Sequence, residues 1–307
     1  MVERCTRRSA LMLILLLTMA SSSMSGAGLV QAQGAPFECP DPAAPAASPA
    51  SAAAESEATP VAAVATFPED GGELTVFAAA SLTDAFTVMK RALETEYPGL
   101  TITYNFAGSQ ALVTQLAEGA AADVFASANN AQMQAASEHG SIAGEPVTFV
   151  RNRLAIVTPA DNPAGIQSAA DLGNPDLRLV LAQTEAPVGR YSREAVCTMG
   201  TDTATYGDDF VARVASNVVS EEEDVRDVLA KVQLGEADAG IVYVSDAAIA
   251  GAEVQVIAIP ADVNIVASYP IAAVVEGDPA LAGAFITYVL SDEGQTTLAR
   301  FGFEPVS

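Results

Sequence analysis

Basic residues are scarce in this chain: 14 lysines and arginines face 38 aspartates and glutamates, a formal charge of −24 at pH 7. Nucleic acid, whose hold on proteins comes largely from phosphates neutralised by lysine and arginine, is a poor partner for such a surface. Histidine is scarcer still. His139 is the only one, and in "SEHGSI" the following Gly140 marks a helix end, so the imidazole is expected to face a C-terminal dipole rather than act as a base. A serine hydrolase is thus left without its proton acceptor, and "FAGSQAL" around Ser109 lacks the second glycine of a nucleophile elbow. Neither a phosphate-cradling loop with its lysine nor a G-x-G-x-x-G after the first strand is present. The acids are many, but no two are set apart for acid and base work. No catalytic residue is assigned, and cysteine and histidine are too few for an ordinary zinc site.

What is there begins with an arginine-led apolar run. Arg4, Arg7 and Arg8 precede residues 10–20, a stretch short for a membrane span, and Val30 and Ala32 fit the small-residue rule for signal cleavage. Residues 1–32 read as a secretory signal peptide, with an uncleaved anchor as the alternative. Either way the bulk of the chain is exported, to the periplasm or the outer face of the cell membrane, and a membrane tether suits it. Residues 40–66 are almost wholly Ala, Pro, Ser and Thr, with little to bury, so 33–70 are expected to be a disordered linker. Removing 33–66 is then expected to leave stability and ligand affinity unchanged. Cys5 leaves with the signal, which strands Cys39 and Cys197 in an oxidising compartment, open to a disulfide. A lipid on Cys39 is the alternative, although Phe37 and Glu38 stand where a lipoprotein signal wants small residues.

From residue 71 onward short β-rich runs alternate with amphipathic helices: "ELTVFAA" then 82–97, "LTITYNF" then 110–119, "ADVFAS" then 131–139. A second series follows, with "RLAIVTP", "RLVLAQ", a helix from about Arg190, "DVRDVLAKVQLGEA" and "AGIVYVSDA". Strand and helix taking turns predict an α/β fold with mostly parallel sheets flanked by helices. Two lobes are expected, because one sheet would have to hold some ten strands.

Serines occupy two of the strand-to-helix junctions. Ser81 follows "VFAAA" and is placed as an N-cap, with Asp84 three residues on completing an approximate capping box; Ser109 follows "YNFAG" and opens a helix in the same way. Either serine alone is adequately explained as a cap. Two at adjacent junctions gather helix starts at the carboxyl edge of one parallel sheet, where free N–H groups and hydroxyls make an anion site.

The segments "LTVFAAASLTDAF", "YNFAGSQALVTQLAEGAAADVFASA", "EDVRDVLAKVQLGEADAGIVYVSDA" and "RFGFEPV", in that order, resemble the periplasmic molybdate-binding proteins of ABC importers. The resemblance implies a two-lobed, type II periplasmic-binding-protein fold with molybdate or tungstate in the cleft between the lobes. It implies a ligand set of neutral donors: the hydroxyls of Ser81 and Ser109, backbone N–H groups at Val188 and Val225, and the Tyr243 hydroxyl. At Val188 the branched side chain is expected to crowd the cleft. Molybdenum would be held only through its oxygens, with no direct metal ligation and no cofactor. The implied partner is the membrane permease of an ABC transporter, and a monomer is expected. Sulfate or phosphate as cargo, or an enzyme acting on a small anion, are the alternatives. Lobe 1 is expected to comprise 71–150 and 248–307, and lobe 2 residues 151–247, with hinges in "FVRNRLAIV" and "YVSDAAIAG". The acids Glu221–Asp224 are expected to face solvent, and no group in the site is expected to titrate between about pH 6 and 9.

Overall fold

The computed structural model describes residues 37–39 and 65–306. The expected signal peptide and residues 40–64 lie outside the described residues. β1 (Gly72–Ala79) passes through a 3-10 turn, Ala80–Leu82, into α1 (Thr83–Glu96). β2 (Leu100–Ala107) leads into α2 (Ser109–Ala117), and β3 (Val124–Ala126) into α3 (Asn130–Glu138). β1 lies between β2 and β3 and is parallel to both. Its period-two alternation explains why it is covered on both faces. Leu74, Val76 and Ala78 point into the main core with Phe86 and Phe285, while Phe77 points into a smaller one with Leu112, Phe125 and Met133.

β4 (Ile142–Pro159) is followed, after a 3-10 turn at Ala169–Gly173, by β5 (Leu179–Ala182), α4 (Pro187–Thr201), α5 (Thr203–Tyr206) and α6 (Phe210–Asn217). Next come β6 (Val218–Glu222), α7 (Val225–Gln233), β7 (Ala239–Tyr243) and α8 (Val244–Ala250). β8 (Val254–Ala258), β9 (Val266–Val274), α9 (Pro279–Leu290), α10 (Asp292–Arg300) and β10 (Glu304–Pro305) complete the chain. The ten strands form one hydrogen-bonded path, β2-β1-β3-β9-β4-β7-β5-β6, with β8 and β10 joined to β4. The path has two halves because β4, 18 residues long, belongs to both. Residues 142–153 pair with β9, beside β3; residues 154–159 pair with β7 and β8, and β7 joins the parallel strands β5 and β6. The first expected crossing, near 150, therefore falls at Arg153–Leu154.

The second crossing is later than expected. β8 still pairs with the far part of β4, and the chain rejoins the first half only at β9. The stretch after 248 therefore divides between the halves, for β8 completes the second sheet. β6 was not legible as a strand because "VVSEE" is an edge strand at one end of the path, with only Val218 fully buried.

The linker also departs from expectation at both ends. Cys39 is bonded to Cys197 in α4, with Cα atoms 5.5 Å apart. Phe37 packs against the core, and the Arg193 guanidinium lies over its ring, 5.3 Å from the centroid. Phe67 is buried against Tyr97, ring centroids 5.0 Å apart, and the Tyr97 hydroxyl donates to the Ala65 carbonyl. Phe37 and Phe67 thus pack against the folded domain where composition alone assigns residues to solvent. The Cys39–Cys197 bond closes a loop of 158 residues, and constraint of the unfolded chain over that length is worth up to roughly 5 kcal/mol. Stability is therefore expected to depend on the 33–66 segment. Cys39→Ser should lower the thermal midpoint by roughly 5–15 °C, measured by calorimetry, and reductant should do the same to the wild type. Equal midpoints for oxidised and reduced protein would show that the clip bears no load.

Candidate functional site

Helix starts converge from both halves on one small cavity. Ser81 arrives on the 3-10 turn after β1, Ser109 as the first residue of α2, Val188 in the first turn of α4 and Val225 as the first residue of α7. Tyr243 ends β7, paired with Leu154 where β4 enters the second half. All five line the same cavity, with Ala128, Pro187 and Asp224 among its other walls. The two parallel strand sets place their carboxyl ends here, which is why the helices that follow them begin here. At α4 the fit is tight: a Cβ at Gly189 would lie 1.9 Å from the Gln183 carbonyl oxygen. Only glycine lets the first turn of α4 ride so close to the end of β5. The enclosed space is about 20 Å³, against roughly 10–15 Å³ for a single water, so it suits a compact group of few atoms.

The serines are not caps. The 3-10 turn and α2 have Ala79 and Gly108 at their N-cap positions, and neither makes a side-chain cap hydrogen bond. Released from capping, both hydroxyls are buried and engaged inward. Ser109 Oγ accepts the Ala128 N–H at 3.0 Å, which leaves its own proton to be donated. Ser81 Oγ lies 3.0 Å from the Tyr269 hydroxyl; with the phenol as donor, Ser81 likewise has a proton to give. The Tyr243 hydroxyl is buried and makes no hydrogen bond of good geometry among the described residues; the Tyr269 phenol stands close enough to couple to it, and the two rings meet edge-on at 5.8 Å. Burial, with Tyr269 beside it, pushes the Tyr243 phenol well above its ordinary pKa, so it stays a donor. Backbone N–H groups in the first turns of α2, α4 and α7 lack intrahelical acceptors and add to the donor set.

No lysine or arginine lines the cavity among the described residues, and the one carboxylate there is Asp224. The acid run was expected to face solvent throughout, and Asp224 does not. It is the N-cap of α7, and its Oδ1 accepts the N–H groups of Arg226 at 2.7 Å and Asp227 at 3.3 Å. Glu221 and Glu222 pair with Arg193 and Lys231. Turned onto their own neighbours, these acids leave the cavity to the donors. His139 lies elsewhere, as the exposed C-cap of α3 ahead of Gly140 at φ +76°.

Sequence reading missed Tyr269, Arg226 and Asp246. Tyr269 hides in the apolar run of β9, where a tyrosine reads as packing. Asp246 is buried in the first turn of α8, and burial raises its carboxyl to about 6 despite the Arg226 guanidinium beside it. The expectation of no titration from about pH 6 upward meets its edge here. Because the folded-state value lies above that of the unfolded chain, protonated Asp246 stabilises the fold. That contribution is present below about pH 4 and is lost as pH rises through about 6. Asp246→Asn keeps the neutral form at every pH. The variant's melting temperature relative to wild type should therefore rise between pH 4 and 7, as read by thermal denaturation without ligand. A difference independent of pH would show that Asp246 does not titrate there.

Residues 74–304 match the family model described as bacterial extracellular solute-binding protein. Over 231 residues the chain is 41% identical to the molybdate-binding protein ModA of Mycobacterium tuberculosis H37Rv, covering 75% of this chain and 84% of that one. It is 33% identical over 247 residues to the protein of the same name from Escherichia coli K12, covering 76% and 90%. Among solved structures, the substrate-binding domain of a putative molybdenum ABC transporter from Clostridium difficile superposes with a TM-score of 0.57 at 25% identity, over 76% of this chain and 99% of that one. With a type II periplasmic-binding-protein fold and donors from both halves converging at one cavity, the chain belongs to the family of bacterial extracellular solute-binding proteins.

Proposed function

We propose that the chain binds molybdate, and also tungstate, in this cavity and hands it to the membrane permease of an ABC importer. One observation carries the reading: five neutral donor positions from both halves meet in one small cavity with no cation on its walls among the described residues. The names of the relatives agree with it. A dianion can be held without lysine or arginine because each desolvated, charge-assisted hydrogen bond contributes roughly 1.5–3 kcal/mol. Helix starts add favourable dipoles. Neutral donors would hold the oxyanion through its oxygens, with no direct metal ligand, and the wall brings no histidine or lysine to the anion among the described residues, which favours a carrier over an enzyme. The apolar, arginine-led N-terminal run favours export to the periplasm or the extracellular face of the cell membrane.

Selectivity follows from a set made only of donors. Molybdate and tungstate are deprotonated near neutral pH, whereas phosphate keeps a proton that needs an acceptor. Asp224, the one carboxylate on the wall among the described residues, has its Oδ1 engaged by the N–H groups of Arg226 and Asp227 in α7. A buried donor left unpaired costs about 1–3 kcal/mol. Sulfate has no proton but is the smaller tetrahedron, so its hydrogen bonds would be long. Titration calorimetry with the four anions should rank molybdate and tungstate first, sulfate well behind and phosphate last. Ser109→Ala and Tyr243→Phe should each weaken molybdate binding by roughly 1–3 kcal/mol without lowering ligand-free stability, and His139→Ala should do nothing. Phosphate binding as tight as molybdate would sink this reading and turn attention to Asp224 as an acceptor.

A further inference from the structure

Three of the site residues have a charged neighbour one turn or less along the chain, and the three charges meet. Asp84 lies three residues after Ser81, in the first turn of α1. Arg226 directly follows Val225 in α7, and Asp246 lies three residues after Tyr243 in α8. Arg226 Nη2 bonds Asp84 Oδ2 at 2.7 Å, and Arg226 Nε lies 2.8 Å from Asp246 Oδ1. Asp84 belongs to the β1 half of the path, Arg226 and Asp246 to the β7 half. Arg226 is the cation closest in sequence to a proposed donor, yet it does not line the cavity. Two carboxylates hold it back, so it supplies no charge to an anion. A fully buried carboxylate such as Asp246 is costly to desolvate and is tolerated only with its partner in place.

We propose that Arg226 is a positioning residue: by joining Asp84 across the cleft while seated on Asp246, it holds the Val225 N–H and the Ser81 and Tyr243 hydroxyls around one anion. Neutral bonds cross between the halves nearby. Gln110, next to Ser109, donates to the Glu223 carbonyl at 2.8 Å, and Gln132 donates to the Glu185 carbonyl at 3.0 Å. Those bonds close the cleft without fixing which residues face each other at its floor. The bridge through Arg226 does, because one guanidinium bonds Asp84 through Nη2 while its Nε is held against the buried Asp246 as an ion pair. The inference rests on the binding function proposed above.

The test turns on a sign. Asp84 is a negative charge close to where a dianion binds, so if it acts through charge alone, Asp84→Asn relieves repulsion and tightens binding. If it anchors Arg226, the same change weakens binding. Asp84 is partly exposed, so the variant should fold with a midpoint close to wild type. Molybdate affinity by calorimetry should fall roughly 5- to 150-fold, the usual range for coupling between a site and a conformational element. The loss should appear mainly in the dissociation rate. Arg226→Gln strands a buried carboxylate and invites misfolding, so the companion is Arg226→Gln/Asp246→Asn, which removes both charges and should show the same loss. Asp84→Asn binding as tightly as wild type, or tighter, overturns the positioning role while wild-type binding stands. Failure of the wild type itself to bind molybdate overturns the functional reading and this inference with it.

Discussion

The Tyr243 hydroxyl is buried at the junction of the two halves without a well-formed hydrogen bond among the described residues, with the Tyr269 phenol beside it. Such a group costs about 1–3 kcal/mol, and the surrounding structure is arranged to sustain the cost. Tyr269 packs edge-on against the ring, Leu154 fixes its strand register, and α8 begins at the next residue. Around it, Ser109 accepts the Ala128 N–H, which leaves its own proton over, and Ser81 lies against the Tyr269 hydroxyl. A site of surplus donors has one kind of complement, a compact group rich in lone pairs and poor in protons.

Keeping such donors aligned requires a connection that sets the register of both halves. β4 provides it. One strand pairs with β9 along its first part and with β7 and β8 along its last, so both halves inherit their register from one backbone. Side chains near the cavity do the finer work. Arg226 ties Asp84 to Asp246, and Asn152 donates to Ser245 within the buried region. The acids at the start of α7 are turned onto α7, Arg193 and Lys231, which lets a strongly acidic protein present an anion with a nearly uncharged wall.

The N-terminal clip is a separate device, outside the 74–304 stretch that defines the family. Cys39 and Phe37 attach to α4, the helix whose first turn carries Val188, and Arg193 beneath Phe37 bonds the carbonyls of Ala182 and Gly189. Covalent attachment thus secures the helix that brings a donor to the cavity.

Much of this was legible in order and residue type. Alternating apolar runs and amphipathic helices determine an α/β chain, since their periods leave no other way to bury both, and "FAAASL", "FAGSQAL", "EDVRDVL" and "GIVYVSDA" mark the junctions that meet at the cavity. Local pattern also misled. Ser81 and Ser109 look like caps because a serine before a helix usually is one, and only the long-range partners Tyr269 and Ala128 show why they are not. Phe37 and Cys39 sit in a composition that reads as linker, and their partners are more than 150 positions away. The sequence by itself determined the strand-helix alternation, because it depends on periodicity and on neighbours a few residues apart; the positions Val188, Val225 and Tyr243 came from its resemblance to a known family. Only the tertiary structure decided the burial of Asp246, the bridge through Arg226, the late return of the chain at β9 and the docking of the N-terminal segment. Each of these depends on which distant residues come within a few ångströms, and local chemistry does not encode that.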